Sequence, residues 1–232
     1  MMPTNLPRFI NACFFSAALL LQPGVCAAEY SDQVSLLAEI AAIQRAVAAM
    51  HPDEKVRCPD HLADQFVTEA NWHYSPYSRD YRRSVKMIET FRIGSYYYAN
   101  ALAHHLNDAL KETARLGYRQ VVNLRAGFET HAYRFHAAMP EAKFFELDTP
   151  ATGRLKQEMV QAYLGRLPEH VTYVSVDLQN EPLETPLKAA GYDETESTLF
   201  LWTGATSLLP AEAVNGVLAF IGNHAAAGSR IV

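Results

Sequence analysis

From Arg119 onward, short apolar runs alternate with segments of helical periodicity, and this alternation restricts the fold more than any other feature of the chain. The runs are Gln120–Leu124, Lys143–Leu147, Val171–Val176, Thr198–Trp202 and Ser229–Val232. Helical segments lie between them at Thr130–Ala138, Ala151–Leu164, Glu184–Ala190 and Pro210–His224. Strands that are apolar on both faces need cover on both faces. A strand–helix–strand order supplies that cover, so the pattern predicts an α/β fold with a Rossmann-like, doubly wound, mainly parallel sheet over residues 118–232. Ligands of such sheets sit beyond the carboxyl ends of the strands, near the point where strand order reverses. The last run coincides with the last residues given, and sheets of this kind ordinarily continue. A chain ending in a strand at the sheet centre would leave edge groups uncovered, so the expectation is either a core shortened at its C-terminus relative to its relatives or a fragment of a longer protein.

The preceding residues divide in two. Residues 1–28 read as a secretory leader: Arg8, an apolar stretch from Phe9 to Leu21 interrupted by Asn11 and Ser16, and the small-residue site Val25-Cys26-Ala27. That predicts export to a periplasmic or external compartment, or a cytoplasmic protein if the leader does not act. Residues 29–117 read as a helical region. Ser31–Met50 carries Val34, Leu37, Ile40, Ala41 and Val47 at helical spacing. Pro59–Ala70 reads as a short helix, and Tyr81–Leu116 as a long helical stretch broken near Gly94. Trp72, Tyr74 and Tyr77 between them suggest an apolar wall for a substrate. A net charge of −5 disfavours a nucleic-acid partner. No run of 18 apolar residues follows the leader, so no membrane span is expected in the mature chain. Cys13 and Cys26 fall in the leader, leaving Cys58, which is expected to be a small buried hydrophobe.

The first strand runs into Arg125-Ala126-Gly127-Phe128-Glu129-Thr130, a small-residue turn that opens a helix. Such a turn aims backbone N–H groups and a positive helix end at a polar or anionic cofactor. About 20 residues on, Asp148 ends the second run. It reads either as an acceptor of two ribose hydroxyls or as a helix N-cap. Asp177-Leu178 after the third run reads as an adenine site, with Asp taking the exocyclic amine and Leu the ring, or as an ordinary strand-end cap. Thr203-Gly204 follows the fourth run, where many enzymes of this architecture carry an acid or base, and Thr is a poor one at neutral pH. No catalytic side chain is assigned. His104 and His105 are adjacent on a helix and diverge, so no metal site is expected. A nicotinamide dinucleotide enzyme would use the same geometry, but the turn lacks G-x-G-x-x-G.

These residues resemble the leucine carboxyl methyltransferase family. Gln120-Val121-Val122-Asn123-Leu124, Ala126-Gly127, Thr130 and Arg134 resemble its first motif, close to Q-V-V-N-L-G-A-G-x-D-T-x-x-x-R. Phe145-Glu146-Leu147-Asp148 with Pro150 resembles the second, Asp177-Leu178 the third, and Leu201-Trp202-Thr203-Gly204 with Leu208-Leu209-Pro210 the fourth. Tyr97-Tyr98-Ala99-Asn100 resembles a G-Y-[YF]-A-R segment, and the likeness covers roughly Cys58 to Val232. It implies S-adenosyl-L-methionine as cofactor, held by Asn100, Arg125, Ala126, Gly127, Asp148, Asp177, Leu178 and Thr203. It also implies a small-molecule or protein-carboxylate methyl acceptor, met by the helical region. The departures bear on the cofactor. Arg125 stands where the family has glycine, Glu129 where it has aspartate, and Thr203 where it has glutamate. Asn100 stands where the family has an arginine that pairs with the cofactor carboxylate. One guanidinium is lost and another gained, so the resemblance leaves Arg125 to take over that contact. The same departures, with an export signal away from the cytosolic cofactor supply, are compatible with an inactive exported binding protein on a methyltransferase fold.

Overall fold

The computed structural model describes residues 34–67, 80–204 and 206–232. The leader segment and the aromatic stretch with Trp72, Tyr74 and Tyr77 lie outside the described residues. Five parallel strands, β1 (Gln120–Leu124), β2 (Lys143–Asp148), β3 (Val171–Ser175), β4 (Thr198–Leu201) and β5 (Arg230–Ile231), form one sheet in the order β3-β2-β1-β4-β5. The fold is therefore the doubly wound α/β class that the alternation predicts, and strand order reverses between β1 and β4. In register, Val122 pairs with Phe145 on one side and Phe200 on the other. β5 is two residues long and, among the described residues, pairs with β4.

Helices α1 (Leu36–Ala49), α2 (Tyr81–Phe91), α3 (Ser95–Arg115), α4 (His131–Phe135), α5 (Pro150–Leu164), α6 (Glu184–Ala189) and α7 (Ala211–His224) surround it. The period of two along the strands sorts the core into layers. Val122, Leu124, Phe145, Leu147 and Phe200 face α6 and α7 through Leu187, Val217 and Phe220. Val121, Phe144, Leu199 and Leu201 face α3 and α4 through Leu106, Leu110 and Phe135. A third cluster joins α1, α2 and α3 to Phe128 and to Val160 of α5, and it includes Cys58. Cys58 is buried as expected, and burial pushes its thiol up to about 11. No helix among the described residues is long and apolar enough to cross a membrane.

Local chemistry sets the helix ends. Ser35 caps α1 by accepting the Ala38 N–H, and Asp80 caps α2 by accepting the Arg83 N–H. Gly94 breaks the α2–α3 stretch at φ 83, and Glu89 accepts the N–H groups of Gly94 and Tyr96 at the start of α3. Two predicted helices are shorter than their periodicity implies. In Pro59–Ala70 the described residues, 59–67, hold a 3₁₀ turn at Ala63–Phe66 and no α-helix, because Asp60 is drawn into contacts with other segments. In Thr130–Ala138 the α-helix covers His131–Phe135 and then tightens to 3₁₀. The Thr130 hydroxyl donates to Asp60 and caps nothing.

Candidate cofactor site at the carboxyl end of the sheet

Leu124 is the last β1 residue in register with β2, opposite Leu147. Arg125 then turns to φ 62, and among the described residues no other side-chain-bearing residue has positive φ. The Ala126 N–H returns to the Leu147 carbonyl at 2.7 Å. Gly127, at φ 47, donates its N–H to Oδ2 of Asp148 at 2.6 Å. Oδ1 of Asp148 accepts the Thr149 N–H at 2.8 Å. One carboxylate thus ties the turn after β1 to the end of β2, and Thr149, not Asp148, occupies the N-cap position of α5. Asp148 is 7% exposed. Oδ2 has one N–H and keeps a free lone pair; Oδ1 also lies 3.5 Å from the Thr149 hydroxyl, whose proton can instead go to Thr152 Oγ1 at 3.2 Å, which leaves Asp148 able to accept two hydroxyls.

The exits of the other strands lie alongside. Val176 donates its N–H to the Asp148 carbonyl, which carries Asp177 past the end of β2. Thr203 follows β4, on the other side of the strand-order reversal from Asp148. Arg125, Ala126, Gly127, Asp148, Asp177, Leu178 and Thr203 therefore share the carboxyl end of the sheet. Their side chains are not equally available. Asp177 accepts from the Gln179 N–H and the Asn180 amide, so its carboxylate serves its own loop, as the strand-end-cap alternative holds. Leu178 is buried in the layer with Phe145, Leu183 and Tyr192, which withdraws the face expected to meet an adenine ring.

Asn100 is not joined to this group. Its amide donates to the Val56 carbonyl at 2.8 Å, and its Oδ1 is buried with no hydrogen-bond partner among the described residues. The positive helix end expected behind the turn is also weak. α4 has five residues and begins four positions after Gly127, whose own N–H is taken by Asp148. Nor is the missing side chain of Gly127 turned to open space. A Cβ there would lie 3.0 Å from the Ala38 Cβ, so the glycine also admits α1.

The same helix, α1, also carries Arg45, the centre of a buried charge network that sequence patterning does not show. Arg45, on α1, donates to Asp60 Oδ2 at 2.9 Å, Glu129 Oε1 at 2.6 Å and the Phe128 carbonyl at 2.8 Å. Asp60 also accepts the Thr130 hydroxyl, and Arg134 donates to Thr130 and Asn107. Burial pulls the Arg45 pKa down, but Glu129 and Asp60 outweigh it and hold the guanidinium above its usual value. Burial pushes the Asp60 pKa up, and Arg45, Arg134 and the Thr130 hydroxyl hold it below the usual carboxylate range. The signal was present: Arg45 is a charge inside the otherwise apolar run from Ala41 to Ala49, with Gln44 as its only polar company.

A second buried pair stands beside β2. Lys156 Nζ lies 2.8 Å from Glu146 Oε2, which also accepts the Tyr133 hydroxyl. Burial pushes Glu146 up, and Lys156 opposes that without cancelling it. Among the described residues, no group of three or more His, Cys, Asp or Glu side chains could hold a metal ion.

Comparison with known proteins is consistent with this geometry. The family model described as leucine carboxyl methyltransferase matches residues 38–222. A protein of Streptomyces coelicolor, provisionally named an S-adenosyl-L-methionine-dependent methyltransferase, is 39% identical over 132 residues, 54% of this chain and 44% of that protein. A crystal structure of a provisionally named methyltransferase from Thermobifida fusca superimposes with a TM-score of 0.54 at 16% identity, covering 88% of this chain and 66% of that one. A DUF574 family protein from Streptomyces avermitilis gives the same TM-score over 83% of this chain. The two structures share the fold, and the chain spans less than half the length of the Streptomyces coelicolor relative.

Proposed function

This chain belongs to the leucine carboxyl methyltransferase family, and on that premise we propose that it is an S-adenosyl-L-methionine-dependent methyltransferase. The observation that carries the reading is the Asp148 carboxylate, buried, oriented by the Gly127 and Thr149 N–H groups and still able to accept at both oxygens. That is the pair of acceptors a vicinal diol requires, and the residues fit a ribose-bearing cofactor there. Ala126 and Gly127 form the turn beside it, and Asp177 and Thr203 stand at the neighbouring strand ends. When bound, the cofactor supplies an electrophilic methyl on a sulfonium.

The chain's own task is then to align a nucleophile and exclude water. A carboxylate acceptor suits a site with Thr203 at the position of an acid or base. A carboxylic acid is ionised well below neutral pH and needs no base to become nucleophilic. We assign the acceptor to this class, a carboxylate or another small nucleophile, free or on a protein.

Calorimetric titration of S-adenosyl-L-methionine into the full chain tests the reading. Measurable binding is expected, with Asp148→Ala weakening it by roughly 100-fold, the loss of two hydrogen bonds to a charged acceptor. Equal affinity in the variant would remove Asp148 from the site. A parent chain that ignores millimolar cofactor would end the methyltransferase proposal.

A further inference from the structure

We propose that Arg125 is the anchor for the carboxylate at the amino-acid end of the cofactor, and that its backbone conformation is a stability cost retained for that contact. This rests on the cofactor reading above and adds to it the residue that recognises charge.

The first observation is conformational. A side-chain-bearing residue at φ 62 is disfavoured, and arginine has no local hydrogen bond to offset it as Asn or Asp can. Strained residues of this kind gather where a ligand is held. The second is a shortage of other positive partners. The Gly127 N–H is taken by Asp148, and α4 is too short to lend a helix field. The buried basic side chains near the turn are all committed: Arg45 to Asp60 and Glu129, Arg134 to Thr130 and Asn107, Lys156 to Glu146. Asn100 is neutral, and its amide is occupied by Val56. Arg125, half-buried at the carboxyl end of β1, has no hydrogen bond or ion pair with any described residue. A guanidinium with five donors, placed beside the turn at the strand-order reversal, is suited to a carboxylate, which it can grip with two parallel bonds.

The test separates charge recognition from general binding. Arg125→Gly and Arg125→Met are titrated with S-adenosyl-L-methionine and with 5′-methylthioadenosine, which keeps the nucleoside and lacks the amino-acid carboxylate. Both variants are expected to lose roughly 10-fold to 100-fold in affinity for the first ligand, the worth of a charge-assisted hydrogen bond. Affinity for the second should stay within about 2-fold, since less than 0.5 kcal/mol separates such values. In addition, Arg125→Gly should melt higher by about 2–4 °C, because glycine relieves the left-handed backbone. Arg125→Met keeps that strain and should not gain. Equal losses for both ligands would make Arg125 a part of the turn only and overturn the assignment. Unchanged or improved S-adenosyl-L-methionine binding in either variant would overturn it as well. A parent chain that binds 5′-methylthioadenosine as tightly as the full cofactor would defeat Arg125 while leaving the nucleoside site standing. A parent that binds neither removes both proposals together.

Discussion

Arg45→Met should cost about 3–5 kcal/mol of stability, because it removes the shared cation from buried Asp60, which keeps Arg134 and the Thr130 hydroxyl, and from half-buried Glu129. The Asp60 and Glu129 side chains are 1% and 17% exposed, and each loses its bond to the guanidinium. The Phe128 carbonyl loses its donor as well. In a chain of this size that loss lowers the melting midpoint by roughly 10 °C or more. Arg45→Lys keeps the charge but offers no fork of donors, so it should fall between parent and Met variant. Thermal melting followed by circular dichroism reads the series. A Met variant that melts within a degree of the parent would show that the network contributes little. The direction of both titrations agrees with the expectation: Arg45 is held above its usual value and Asp60 below, so each ion stabilises the other in the folded chain.

A second large effect should appear in acid. His131 is 4% exposed, and burial pulls its pKa down to about 4, with Glu129 opposing. Arg134, Asp60 and Arg45 also act on it, the two arginines lowering and the aspartate raising. Its folded pKa lies below its unfolded value near 6.5, so the unfolded chain takes the proton first. The contribution is complete above pH 6.5 and is lost as pH falls toward 4. Across that window the unfolded state gains about 3 kcal/mol relative to the folded one, from 1.36 kcal/mol per pKa unit. Glu146 works the other way: its folded pKa is raised, so its contribution is present below pH 4.5 and fades as pH rises. Asp60 matters only below its unfolded value near 3.8. The difference between parent and His131→Gln, measured by urea unfolding at pH 7 and pH 4.5, therefore isolates His131. The variant should lose less on acidification than the parent, and parallel losses would refute a buried neutral imidazole.

The sheet could be read from the sequence because buried parallel strands are apolar on both faces, as the short runs Gln120–Leu124 and Thr198–Leu201 are. β1 matches the predicted limits, and β2 and β4 differ from them at only one end, by a single residue. Helix limits failed where a side chain answered to another segment. Thr130 gives its hydroxyl to Asp60, 70 positions away, and a pattern that looks only along the helix cannot see that. The candidate site divides in the same way. Arg125, Ala126, Gly127 and Asp148 come together because adjacent strands force them to. Leu178, which matched a motif, and Asn100, which departs from one, are held elsewhere by packing and by the Val56 carbonyl. The charge network was hidden because its members are scattered from Arg45 to Arg134, and only the fold makes them neighbours.

The Arg45 contacts also bear on how this molecule comes apart. Half of that network belongs to α1 and the segment after it, and half to the turn and helix after β1. Neither half can be solvated gently while the other stays folded, so the helical region and the sheet should melt in one calorimetric transition, with van't Hoff and calorimetric enthalpies equal. An excised sheet fragment beginning at residue 118 would inherit Glu129, Thr130 and Arg134 without Arg45 and Asp60, and Phe128 without the cluster that covers it. Proteolysis between the two regions should therefore yield small peptides and no surviving core, making the helical region a condition of the sheet's persistence.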